Sequence, residues 1–124
     1  MTDLSETVDT YLAGWNEVDA EHRAGIVERI WAANGRLIDP PLEATGRDEI
    51  SQMAATLQSQ FPGHRFIRVS AIDEHHNHFR FAWQFLAADG SVALSGLDVG
   101  ELAEDGSIAR ITGFFGALPA HDAA

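Results

Sequence analysis

Near Phe61-Pro62-Gly63 the hydrophobic period of this chain shifts from that of helices to that of strands, which restricts the fold more than any other feature. Ahead of the shift, Val8, Tyr11, Leu12, Trp15 and Val18 recur at helical spacing behind the cap candidates Asp3 and Ser5. A second helix is expected over 20–34, with Ile26, Val27, Ile30 and Trp31 on one face and Asn34-Gly35 as its stop. A third, over 47–60, shows Ile50, Met53, Ala54 and Leu57. Between the second and third, Arg36-Leu37-Ile38-Asp39 reads as a strand running into a Pro40-Pro41 corner. Beyond the shift, Arg65–Asp73 alternates loosely and Glu74-His75-His76-Asn77 reads as a hairpin turn. Phe79, Phe81, Trp83 and Phe85 then alternate with Arg80, Ala82 and Gln84. Asp89-Gly90 and Glu104-Asp105-Gly106 are hairpin signals bounding strands at about 91–102 and 107–115. Helices followed by hairpin-linked strands predict an α+β fold. The expected form is a cone-shaped, strongly bent, mixed or antiparallel sheet with three helices of the N-terminal half on its concave face. The mouth of such a cone is a natural ligand pocket.

The 124 residues, 45% of them hydrophobic, suit one domain over 1–118 with a short flexible tail over 119–124. Eight basic residues scattered among nineteen acidic ones give a net charge of −11, which excludes a nucleic-acid or anionic-membrane surface. No apolar run approaches the roughly 20 residues that span a bilayer. The acidic start Met1-Thr2-Asp3-Leu4 lacks the apolar stretch of a secretory signal, so a cytoplasmic location is expected. Without cysteine there is no disulfide framework, thiolate metal site or Cys–His pair. No nucleophile elbow, phosphate loop or dinucleotide fingerprint is present, and no cofactor is expected. A small apolar molecule is the expected partner, and the open sheet face is the expected surface of a homodimer.

Two carboxyls interrupt the strand patterns. Asp39 closes its strand before Pro40, and Asp98 lies within Ser95-Gly96-Leu97-Asp98-Val99, where both faces are otherwise small or apolar. A half-buried carboxylate must find a partner or hold a proton, which makes the pair an acid/base candidate. The plainer readings are a corner residue bonding nearby N–H groups for Asp39, and a structural ion pair or hydrogen bond with Arg80, Arg110 or a backbone group for Asp98. Gly96 and Gly100 beside Asp98 are expected to open space for a ligand.

The order of several motifs resembles the nuclear transport factor 2-like superfamily, which includes SnoaL-type polyketide cyclases and ketosteroid isomerases. These motifs are Trp15, Trp31-Ala-Ala-Asn-Gly35, Ile38-Asp39-Pro40, Gly46-Arg47-Asp48-Glu49-Ile50, Gly96-Leu97-Asp98-Val99 and Glu104-Asp105-Gly106-Ser107-Ile108, together spanning about residues 5–116. The resemblance implies a cystatin-like roll. It implies a general base at Asp39 and, at Asp98, a protonated carboxyl that donates to a developing oxyanion. At the place of the isomerases' oxyanion-hole tyrosine stands Trp15, whose indole N–H donates but is far less acidic than a phenol.

Tyr11, Trp31, Phe81, Trp83 and Phe115, with Met53, Leu57 and Phe61 of the third helical segment, are the expected apolar wall of a pocket, although such spacing also serves an ordinary core. His64, leading from helix to sheet, is a candidate proton carrier. His75, His76 and His78 flank a turn with no carboxylate placed to complete a shell, so no metal is expected. The sequence thus supports a cofactor-free isomerase, cyclase or dehydratase, with a non-catalytic ligand binder and a homodimeric interaction module as alternatives.

Overall fold

In a computed structural model that describes residues 3–121, three helices lie against one seven-stranded sheet. The helices are α1 (Leu4–Asn16), α2 (Ala20–Ile30) and α3 (Arg47–Gln60). The strands are β1 (Trp31–Ile38), β2 (Glu43–Thr45), β3 (Arg65–Arg68), β4 (Asp73–His75), β5 (His78–Leu86), β6 (Val92–Leu102) and β7 (Ile108–Phe115). Their order is β2-β1-β7-β6-β5-β3, with β4 also on β5; every pairing is antiparallel except β1 with β7. Register shifts in the β1–β7, β5–β6 and β6–β7 pairings, with extra residues in β1, β6 and β7, bend the sheet, as bulges do. The fold is the expected α+β roll. The last residues of the expected tail, 122–124, lie outside the described residues.

Side chains of β5 alternate strictly. Phe79, Phe81, Trp83 and Phe85 face the helices and are buried, whereas Arg80, Ala82 and Gln84 face outward. Trp83 therefore takes the concave face. Opposite them on β6 stand Gly100, Asp98, Gly96 and Leu94. Gly96 and Gly100 do not open space for a ligand. A Cβ would lie 2.1 Å from the Trp83 ring at position 96 and 2.1 Å from the Phe79 ring at position 100, so each glycine is a seat for a ring.

The second helix is shorter than expected. It ends at Ile30, and Trp31 is already extended at φ −94° and ψ 141°. Periodicity carried the pattern four residues too far because Trp31 is as buried as a helix-face residue would be, at 2% exposure. Its carbonyl accepts two hydrogen bonds from the Arg47 guanidinium at 3.0 and 2.7 Å, and Gly35 makes room for its indole rather than stopping a helix. Val18 falls beyond the first helix and is 79% exposed. The segment 65–73 splits into two strands, with Ser70 replacing a ladder bond by accepting from Ala82 N–H at 2.8 Å. The hairpin turn narrows to His76 and Asn77, both at positive φ (50° and 64°), and the three residues of β2 carried no sequence signal.

Arg23 is buried without a carboxylate partner among the described residues. Its Nη1 donates to the Glu17 carbonyl at 2.7 Å, just past the end of α1, where a cation also meets the negative end of the helix dipole. No helix among the described residues is long and apolar enough to cross a membrane.

Gly100→Ala should lower stability by about 1–3 kcal/mol, the usual cost of overpacking, because Phe79 is wedged between β6 and the core. Urea unfolding would read this as a lower midpoint at unchanged slope, whereas an unaltered midpoint would show that Phe79 has room to move.

Candidate functional site

Asp98 is 6% exposed and points from β6 toward α1. Strand geometry puts it beside Phe81 and two residue pairs along, on the same face, from the Gly96–Trp83 pair. Because Gly96 lets the indole lie across β6, Trp83 Nε1–H donates to Asp98 Oδ1 at 3.0 Å. From α1, the Tyr11 hydroxyl donates to Oδ2 at 2.9 Å. Both oxygens are thus engaged by uncharged donors, and among the described residues neither Arg80 nor Arg110 pairs with this carboxyl: Arg80 pairs instead with Asp73 at 2.9 Å.

Asp39 follows the last residue of β1. Pro40 and Pro41 turn the chain so that Asp39 N–H bonds the Leu42 carbonyl at 3.0 Å, and Leu42 N–H returns to Asp39 Oδ1 at 3.0 Å. The corner role read from the sequence is real. The same side chain also lines an apolar cavity of about 430 Å³, as does Asp98. Gly113 of β7 pairs with Asp98, and a Cβ there would lie 3.0 Å from both Asp39 Cβ and Asp98 Oδ1. Lacking one, Gly113 lets the two carboxyls share the cavity floor.

Electrostatics distinguish the two acids. Burial pushes the Asp98 carboxyl up to about 6; the bonds from Tyr11 and Trp83 pull it down, and the charge of Asp39 raises it. Asp39 is also raised by burial, with the Leu42 N–H pulling it partly back. The Tyr11 hydroxyl is held well above its ordinary value by burial and by the Asp98 charge, while Trp15 pulls the other way. It is therefore a neutral donor throughout the physiological range.

Eight of the residues singled out in the sequence line this cavity. They are the two aspartates, Tyr11 and Trp15 of α1, Leu57 of α3 with the adjoining Phe61, and Trp83 and Phe115 of the sheet. Four do not. Trp31 and Phe81 are packed in the core at 2% and 1% exposure, Met53 packs against the core elsewhere, and the His64 ring lies tilted against Phe61 and Phe85 at 5.4 and 5.1 Å. Trp15 stands at the wall with its ring edge-on to Tyr11, but the donors to Asp98 are Tyr11 and Trp83. Sequence reasoning passed over Phe66 and Phe85, whose rings stack at 4.4 Å along the wall, and Gln60 and Leu42. Alternation with Trp83 was the available signal for Phe85. Among the described residues, no group of three or more His, Asp or Glu side chains is arranged to hold a metal ion.

A candidate isomerase of the SnoaL-like family from Agrobacterium tumefaciens str. C58 is similar at 37% identity, over 94% of this chain and 100% of that one, with a TM-score of 0.89. A protein of unknown function with a cystatin-like fold from Methylobium petroleophilum PM1 matches at 19% identity and a TM-score of 0.74, over 97% of this chain and 80% of that one. A candidate SnoaL-like polyketide cyclase from Jannaschia sp. CCS1 matches at 13% identity and a TM-score of 0.66, over 90% and 85%. The last two likenesses concern the fold alone. No protein-family model and no curated protein matches the sequence.

Replacing Tyr11 by Phe removes a bond that favours the ionised form, so the Asp98 carboxyl should titrate above about 6 in the variant; carboxyl NMR would show it, and an unmoved titration would dissociate the two groups. Stability carries a second signature. With a folded value near 6 and an ordinary value of 3.8, Asp98 keeps its proton longer when folded than when unfolded. Its contribution is therefore full below pH 3.8 and declines as pH rises through about 6, by about 3 kcal/mol in all. Chemical denaturation at pH 4 and pH 7 should show this loss in the wild type and not in Asp98→Asn.

Proposed function

Because this chain belongs to the SnoaL-like family, we propose that it binds a small, mostly apolar molecule in the cone and performs cofactor-free acid/base chemistry on it: isomerisation, cyclisation or dehydration. The observation that carries this reading is the pair of carboxyls on one apolar cavity floor, separated only by Gly113. Asp39, half-exposed and with one oxygen free of the Leu42 bond, is the base that takes a proton from a carbon next to a carbonyl. Asp98 in its protonated form donates to the oxygen on which charge develops. Tyr11 and Trp83 hold that carboxyl in place, and the aromatic wall excludes water and orients the ring or chain of the substrate.

The division of labour gives a pH profile. The base must be ionised and the acid protonated, so activity rises as Asp39 loses its proton and falls as pH passes about 6. The optimum should lie on the acid side of neutrality. Exchange of α-hydrogens for deuterium in a probe ketone, 2-tetralone, would be followed by NMR in D₂O. The protein should accelerate exchange over buffer, and Asp39→Asn should remove about 100-fold or more of that rate while leaving the fold intact. Equal rates in the variant would refute Asp39 as the base. Saturable binding without exchange would favour the non-catalytic binder, for which the same cavity supplies the aromatic contacts.

A further inference from the structure

The same cavity is chemically one-sided. Among the described residues its only charged side chains are Asp39 and Asp98; no Lys, Arg or His lines it. The donors nearest the two carboxyls are spent within the protein. The Tyr11 O–H and Trp83 N–H are given to Asp98, and the Leu42 N–H is given to Asp39. What the floor offers a ligand is acceptor capacity: the second oxygen of Asp39 and the remaining lone pairs of Asp98. Around that floor stand the rings of Trp15, Phe66, Trp83, Phe85 and Phe115, with Gln60 as the one neutral amide among the lining residues. Carboxylates under aromatic rings attract a cation both by charge and by the ring quadrupoles, and desolvation strengthens both effects. The chain's net charge of −11 adds a field that draws cations from solution.

We infer that this cavity is a binding site for small organic ammonium ions, a protonated amine on an apolar, preferably aromatic body. The inference rests on the proposed function only in requiring that small molecules enter the cavity, and it concerns the state of the site in which both carboxyls are ionised. The groups facing Asp98 are Tyr11 from α1, Trp83 from β5 and Asp39 beyond β1, while β7 presents only Gly113. Nothing basic competes with the ligand for the two negative charges. At and above neutral pH an ammonium ion bound there holds Asp98 ionised, and so opposes the protonated form used in catalysis. Amines of this kind should therefore inhibit turnover as well as bind.

Three isosteric probes separate the possibilities: 1-naphthalenemethylamine, which is protonated at pH 8, 1-naphthalenemethanol and 1-naphthoate. Calorimetry on the full chain at pH 8 should show the ammonium at least tenfold tighter than the alcohol, and the naphthoate weaker than both. The ammonium's advantage should shrink at pH 5, below the Asp98 value of about 6, and in Asp39→Asn, a change at the corner rather than in the core. An alcohol that binds as tightly as the ammonium at pH 8 overturns the inference, as does an ammonium affinity that ignores both pH and the Asp39 substitution. Absence of binding by all three overturns it together with the premise that the cavity admits ligands. Failure of the deuterium-exchange experiment alone leaves these outcomes untouched, because binding is read without turnover.

Discussion

The hydrogen bonds from Tyr11 and Trp83 to Asp98 join the first helix to the middle of the sheet through a carboxyl that solvent barely reaches. An ionised carboxylate in such a place costs several kcal/mol unless its oxygens are satisfied. Two uncharged donors reduce that cost without neutralising the group, as an arginine would. Neighbouring features follow from the need to deliver them. Trp83 must lie across β6, so position 96 has no side chain; Asp39 must come close, so position 113 has none either. Tyr11 reaches Asp98 from α1, a helix that also packs on the edge strand β3, and the cavity opens beside it among Phe66, Phe85 and Phe115. The pocket and the buried acid are thus one construction.

Much of this was legible in the sequence, and the failures have physical causes. Both aspartates interrupted apolar patterns, and both line the cavity. The third helix and the long strands followed from unmixed periodicity and two Asp-Gly turns. The end of the second helix did not, because a buried residue continues a helical stripe equally well as the first residue of a strand, and Trp31 is that residue. Tyr11 and Trp15 share one helical face a turn apart, so periodicity put both near the site but did not decide which would bond Asp98. Only the depth of the helix over the sheet decides that, and depth is set by contacts distant in sequence. Gly96 and Gly100 illustrate the same limit: absence of a side chain signals close approach, but not by what.

The unclosed sheet ends in β2 on one side and in β3 and the three-residue β4 on the other, all short strands and poor templates for another chain. At one, β3 has only four residues, and the Asn16 side chain from α1 occupies both the N–H and the carbonyl of Phe66, at 2.7 and 2.9 Å. At the other, β2 has three residues, flanked by the carboxylates of Glu43 and Glu49, and Glu49 takes the Thr45 N–H at 3.0 Å. At Phe66 and Thr45, backbone groups that an incoming strand would need are already committed to side chains of the same molecule. A deep, hairpin-rich sheet is thereby kept from propagating into fibrils at its edges, and growth by strand addition is resisted by two amide and carboxylate side chains rather than by closing the barrel.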